Sequence, residues 1–317
     1  MLGLRQAGVL DVGCHSALLT VVRRRKGGVL EPVHSYKVRL RLHQALGPDG
    51  RLRGRAVRSV ERAVGEAVVT DPRECRPELF AFATSVIRDA PNREEVIARV
   101  ARTTGVQLLV LPGEEEARLA YVAARHWAAP ETGPMLVLDI GGGTVELAWG
   151  DGDQPRGVLS LPLGARRITR DLLPGSTPAS ERRLEQVRQQ LRRTLAATPG
   201  LPQAEPGSRV LASSKTFTQL ARLAAVRGVS SRSRPRTPHQ LTLRDLRAVV
   251  PLLAAVSAPR RGKLPGIAPH RAEQSLAGAL VAEALMEACQ VDTVTICPWS
   301  TREGLLLEHL GMTAADR

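Results

Sequence analysis

Two aspartates in this sequence stand inside the same phrase. Val9-Leu10-Asp11-Val12-Gly13-Cys14-His15-Ser16 near the start returns as Val137-Leu138-Asp139-Ile140-Gly141-Gly142-Gly143-Thr144. Each copy is an apolar run carrying an Asp, then a turn with glycine and a hydroxyl, then a second apolar run. That is the pattern of two strands joined by a tight hairpin. An Asp at a strand end can hold a metal, and a small-residue turn presents N–H groups that wrap a phosphate. Glu146 follows on the strand after the second turn, so it and Asp139 face one hairpin mouth. One copy in each half predicts two related lobes closing on one phosphorylated ligand.

The elements around these hairpins alternate between strand and helix. In the first half, the 9–22 hairpin leads through the basic turn Arg23–Gly28 into residues 29–42, which read as another strand pair. Val57, Val60, Val64 and Val68 have helical spacing over 55–69. A strand is expected at 79–85, a helix at 92–104, a strand at 106–110, and a helix from Pro112-Gly113 through 126. The second half opens near Pro134. It offers strands at 157–163, 208–213 and 291–297, with helices at 179–196, from 215, at 271–289 and at 302–311. This alternation predicts an α/β class. At 317 residues two domains are expected, divided as 1–130 and 131–317, with the last helix free to pack back on the first lobe.

Composition narrows the partners. Basic residues number 45 against 31 acidic ones, a net charge of +14. Only Lys26, Lys37, Lys215 and Lys263 are lysines, a bias that genome composition can explain, but the surplus of positive charge is separate and favours polyanions. Aromatic residues are scarce and do not alternate with basic ones, so base stacking, and with it a specific nucleic-acid partner, is not expected. No apolar run approaches a membrane span. The N-terminus lacks a signal-peptide layout, and Cys14, Cys75, Cys289 and Cys297 form no CxxC pair. Neither zinc nor a disulfide framework is indicated, and a reducing cytoplasm is the expected location. The basic, proline-broken loop 231–238 reads most simply as a solvated insertion.

Seven segments, in order along the chain, resemble the exopolyphosphatase and guanosine pentaphosphate phosphohydrolase (Ppx/GppA) family of the actin-like ATPase superfamily. They are Val9–Leu19, Ala83–Ala90, Gly113–Arg118, Asp139–Leu147, Ser160–Ala165 with Arg167, Ser214–Phe217, and Arg302–Gly304. The Ser-Lys-Thr-Phe segment is similar to the short actinobacterial exopolyphosphatase branch. The resemblance implies a two-lobed actin-like fold of the acetate and sugar kinase, Hsp70 and actin superfamily, ribonuclease H-like, with a cleft between lobes. It implies Mg2+ held by Asp139, Glu146 and Asp11, and Glu116 as the carboxylate that deprotonates the attacking water. Ser16, Arg88, Gly142, Gly143, Thr144, Lys215 and Arg167 match phosphate-binding positions, and Arg302 matches a position of less defined role. Read without the family, Glu114, Glu115 and Glu116 would only complement a helix N-terminus, and Arg88 would be one surface arginine among many.

The reaction implied is hydrolysis of a terminal phosphoanhydride, releasing orthophosphate from inorganic polyphosphate, with guanosine pentaphosphate as the second substrate the family allows. A homodimer is among the admissible assemblies. The first hairpin departs from the family's usual Asp-Ile-Gly-Ser-Asn-Ser. Cys14 and His15 replace a hydroxyl and an amide, and Leu18 stands where relatives often carry His or Arg. These changes support an alternative: a weakened homologue that binds polyphosphate or guanosine tetra- and pentaphosphate as a regulator. A sugar or acetate kinase of the same superfamily fits less well, because no second glycine-rich adenosine site follows Ser214-Lys215-Thr216.

Overall fold

The structure, a computed structural model, describes residues 6–25, 29–69, 78–129, 133–173, 178–227 and 240–312. The basic loop 231–238, residues 26–28 of the basic turn and Cys75 lie outside these residues. The chain divides into two compact units, Met1–Leu119 with Thr301–Arg317, and Ala120–Ser300.

In the first unit the repeated phrase forms β1 (Gln6–Val12) and β2 (Ser16–Arg25), antiparallel, with Leu10, Val12 and Leu19 buried. Residues 29–42 do not make a strand pair. They form one strand, β3 (Val29–Arg39), alongside β2, followed by a 3-10 turn at Leu42–Ala45. No turn is needed because β2 runs long enough to pair with all of β3. A bulge opposite Val21/Val22 leaves Val33 out of register beside Pro32, which cannot donate to a ladder and is tolerated on this edge strand. Helix α1 (Gly54–Val69) buries Val57, Val60 and Val64 against this sheet and leads to β4 (Glu78–Ala83), parallel to β1. A single turn, α2 (Ser85–Arg88), precedes α3 (Arg93–Thr104), which buries Val96 and Val100 and stops at Gly105, whose φ of 73° suits glycine. The expected 106–110 strand shortens to β5 (Leu109–Val110), and α4 (Gly113–Ala128) follows. Sheet order is β3-β2-β1-β4-β5.

The second unit repeats this plan. Strands β6 (Met135–Ile140), β7 (Val145–Gly150) and β8 (Gly157–Leu161) form an antiparallel meander. Helix α5 (Ala165–Leu172) was not anticipated from periodicity. Helix α6 (Glu181–Ala196) starts at Ser180, whose hydroxyl accepts from Arg183 N. Strand β9 (Arg209–Ser213) runs parallel to β6, and α7 (Ser214–Arg227) follows directly. Then come β10 (Gln240–Thr242), α8 (Leu243–Ala254), the short α9 (Ala258–Arg261), α10 (Ser275–Ala288) and β11 (Thr293–Ile296). Pro251 inside α8 hid that helix from the sequence pattern. Sheet order is β10-β11-β9-β6-β7-β8. In both sheets the acid-bearing strand, β1 or β6, pairs antiparallel with its hairpin partner and parallel with the strand on its other side. Helix α10, buried from Ser275 to Met286, is the centre of the second core.

The final helix, α11 (Thr301–His309), belongs to the first unit. Gly304 lets it approach the α4 backbone: a Cβ there would lie 2.0 Å from Leu119 O. No helix among the described residues is long and apolar enough to cross a membrane.

Candidate active site

Strand register places four polar side chains in one row across the second sheet. Asp139 lies opposite Glu146, Glu146 opposite Ser160, and Asp139 beside Ser213 on the parallel strand. Residues paired this way share a face. Ser213 Oγ donates to Asp139 Oδ2 at 2.5 Å, Ser300 Oγ to the same oxygen at 2.8 Å, and Ser160 Oγ to Glu146 Oε1 at 3.1 Å. Burial pushes the Asp139 carboxyl up from its ordinary range, and the Ser213 and Ser300 hydroxyls pull it partly back. Two adjacent desolvated carboxylates are relieved by a cation, and oxygen donors of this kind suit a hard divalent ion such as Mg2+.

The loop Gly141–Thr144 closes through Gly141 N donating to Thr144 O at 2.9 Å. Behind it sits the start of α5. Ala165 N donates to Gly141 O, Arg166 N to Gly142 O and Gly164 N to Gly143 O, at 2.9 to 3.2 Å. In a trans peptide the N–H points opposite to the carbonyl, so the N–H groups of Gly142, Gly143 and Thr144 face away from α5. The helix that could have bound an anion instead turns the glycine loop into the donor surface. Arg167 Nε donates to Gly143 O at 3.2 Å, which places this arginine as a prop of the loop. Arg166, which sequence reasoning passed over, brings Nη1 to 3.0 Å from where a Gly142 Cβ would lie. That nitrogen is covered and has no hydrogen-bond partner.

Lys215 is exposed in the first turn of α7. The residue before it, Ser214, takes a φ of 82°, a left-handed conformation usually left to glycine, and its Oγ is covered without a partner. Thr216 Oγ1 donates to Ile140 O at 2.9 Å and ties α7 to the end of β6.

In the first unit Asp11 lies opposite Leu18 and beside Phe82. Leu18 thus holds the register position that Glu146 holds in the other unit, and this hairpin carries one acid instead of two. Asp11 Oδ1 is covered and accepts no hydrogen bond, while Oδ2 lies 3.8 Å from Arg302 Nε. Burial raises its pKa to about 6 against the opposing pull of Arg302. A covered carboxylate oxygen without a donor is itself a cation ligand in waiting, so Asp11 also fits the metal reading. Ser16 opens β2, and its carbonyl accepts from Gly13 N at 2.9 Å.

Arg88, at the end of α2, donates to Leu111 O at 3.0 Å and to Glu116 Oε1 in the first turn of α4. The paired side chains are only 13% and 12% exposed. The structure therefore joins the expected phosphate arginine to the expected base. Glu115 also lies in the first turn of α4, where its charge suits the helix N-terminus. It pairs with Arg118, which also grips Glu308 and so ties α4 to α11. Ser213 and Ser300 were missed because nothing local marks them; only strand register and the chain's return at residue 300 bring them to Asp139.

Over residues 20–313 the chain matches the Ppx/GppA phosphatase family. It is 42% identical over 310 residues to Exopolyphosphatase 1 of Mycobacterium tuberculosis, covering 97% of this chain and 89% of the relative. A guanosine-5'-triphosphate,3'-diphosphate pyrophosphatase of Aeromonas hydrophila is 25% identical over 305 residues, 95% of this chain and 59% of that protein. Among solved structures, the Aquifex aeolicus Ppx/GppA family member has a TM-score of 0.79 at 25% identity, covering 97% of this chain and 98% of that one. With its two related mixed sheets and near full-length match, the chain belongs to the Ppx/GppA phosphatase family and has the actin-like α/β fold.

Proposed function

We propose that the protein removes the terminal phosphoryl group of inorganic polyphosphate by hydrolysis, releasing orthophosphate and a chain one unit shorter. The observation that carries this reading is the pairing of half-buried Asp139 with buried Glu146 beside a glycine loop whose N–H groups face away from α5. The 42% identity to an exopolyphosphatase supports polyphosphate as substrate. The weaker likeness to a guanosine pentaphosphate enzyme keeps that nucleotide as a second candidate.

The roles divide between the units. Gly142, Gly143 and Thr144 bind terminal phosphate oxygens through N–H groups and a hydroxyl, with glycine allowing close approach. Arg166 and Lys215 add positive charge on the same unit. Asp139 and Glu146 would hold Mg2+ on the second unit, and Asp11 is the corresponding acid of the first; the ion when bound neutralises phosphate charge and draws charge from the leaving oxygen. Water attacks the terminal phosphorus, the bridging oxygen leaves with the shortened chain, and Glu116 takes the water's proton before passing it to solvent. A phosphate oxygen reaching Arg88 competes with Glu116 for the guanidinium, and a carboxylate released from that pair is more basic. Four scattered cysteines without a CxxC pair suit a reducing compartment, and we take the cytoplasm as the location.

The test is orthophosphate release with Mg2+ from polyphosphates of several lengths and from guanosine pentaphosphate. Glu116→Gln should retain polyphosphate affinity and lower turnover by about 10² to 10⁴. Native turnover equal to that of Glu116→Gln would overturn the enzyme reading and leave a phosphate-binding regulator in its place.

A further inference from the structure

Cys14 and His15, the two departures in the turn of the first hairpin, do not stand alone. The 3-10 turn at Leu42–Ala45 brings His43 against them. Cys14 Sγ lies 3.3 Å from His43 Nδ1, and the His15 and His43 rings have centroids 4.9 Å apart. One donor atom from each of the three lies within 4.8 Å of the others. Two backbone bonds hold the segments together: Leu40 N donates to His15 O at 2.8 Å, and Leu42 N to Cys14 O at 3.1 Å. Cys14 is buried and both histidines are half-buried.

We propose that Cys14, His15 and His43 form a binding site for a zinc-class transition metal, separate in chemistry from the carboxylate ligands of the phosphatase reading. A tetrahedral ion with a thiolate near 2.3 Å and imidazoles near 2.0–2.1 Å separates its ligand atoms by roughly 3.3–3.6 Å. The Cys14–His43 separation already matches this, and rotation of the histidine rings brings in the third ligand. The fixed backbone register means that the segments need not move. A soft sulfur and two imidazoles select Zn2+ over Mg2+, which prefers oxygen. With three protein ligands the fourth position is open to water or an anion oxygen. The absence of a CxxC spacing hid this site, because its third ligand comes from another element.

Cobalt reports it directly. Co2+ titrated into the chelator-treated full-length protein should give, at one equivalent, thiolate-to-cobalt charge-transfer absorption and the visible bands of four-coordinate cobalt. Zn2+ should displace the cobalt, because thiolate and imidazole ligands in a tetrahedral set suit zinc, which has no geometric preference from d-electrons. Cys14→Ser should abolish the charge-transfer band. His15→Asn and His43→Gln should each weaken cobalt binding at least about tenfold, no less than loss of an outer-shell partner costs. Asp139→Asn should leave the bands unchanged. Cys14→Ser and His15→Asn install the residues usual in this hairpin, and circular dichroism confirms the fold of each variant. A native protein without the charge-transfer band, or a band that persists in Cys14→Ser, overturns the site.

Discussion

A carboxylate with one oxygen covered and given no donor is an anion held at a cost, and Asp11 is one. Its pKa rises from 3.8 to about 6, so the folded chain binds the proton more tightly than the unfolded chain does. Stability from this group is fully present below about pH 4 and is lost as pH rises through 6. In chelator-treated protein, Asp11→Asn should therefore raise the melting temperature at pH 7.5 and leave it nearly unchanged at pH 4. An equal effect at both pH values would show that burial of the charge is not the cause. Asp139 and Glu146 make the matching case for the metal itself. Asp139→Asn or Glu146→Gln should raise the Mg2+ concentration for half-maximal turnover, since a hard cation prefers charged oxygens. If Mg2+ dependence is the same in both variants, the ion is bound elsewhere.

At the level of elements, the glycine loop is shaped from behind by α5. A Cβ on Gly164 would meet the backbone of Gly143 at 2.3 Å and of Thr144 at 2.4 Å, contacts that only a shift of loop or helix can relieve. Gly164→Ala should cost about 1–3 kcal/mol in thermal or denaturant unfolding and lower turnover, because the loop N–H groups lose their direction. A Cβ on Gly142 first meets the Arg166 side chain, whose guanidinium lies at 3.0 Å and can move aside. Gly142→Ala should keep the melting temperature and weaken phosphate binding instead. Equal melting temperatures for native protein and Gly164→Ala would remove the packing argument.

Across the whole molecule, two units share a topology but not a chemistry. The second keeps both acids and a full glycine loop; the first has Leu18 opposite its aspartate and a Cys-His pair in its turn. The net charge of +14 acts on top of this local pattern. Long-range attraction between a basic protein and a polyanion weakens as the Debye length shrinks from about 10 Å at 0.1 M salt to about 3 Å at 1 M. Raising ionic strength should therefore lower kcat/KM for long polyphosphate more steeply than for a short oligophosphate, with kcat little changed. A parallel decline for both lengths would show that the global charge plays no part in substrate capture.

The repeated Asp-bearing phrase with its glycine turn and the alternation of strands and helices were legible in the sequence, because hairpin chemistry and hydrophobic period are local properties; Glu116 and Arg88 were singled out only through the family resemblance. The single strand over 29–39 was not legible, since pairing depends on the length of β2. The short β5 and the proline-bearing α8 escaped for similar reasons of context. Tertiary structure alone decided the rest. Register lined Ser213, Asp139, Glu146 and Ser160 into one row. Packing turned the first N–H groups of α5 onto loop carbonyls instead of a ligand, paired Arg88 with Glu116, and set His43 against Cys14. Each of these joins residues far apart in the chain, and no local preference encodes a distance that only the folded backbone fixes.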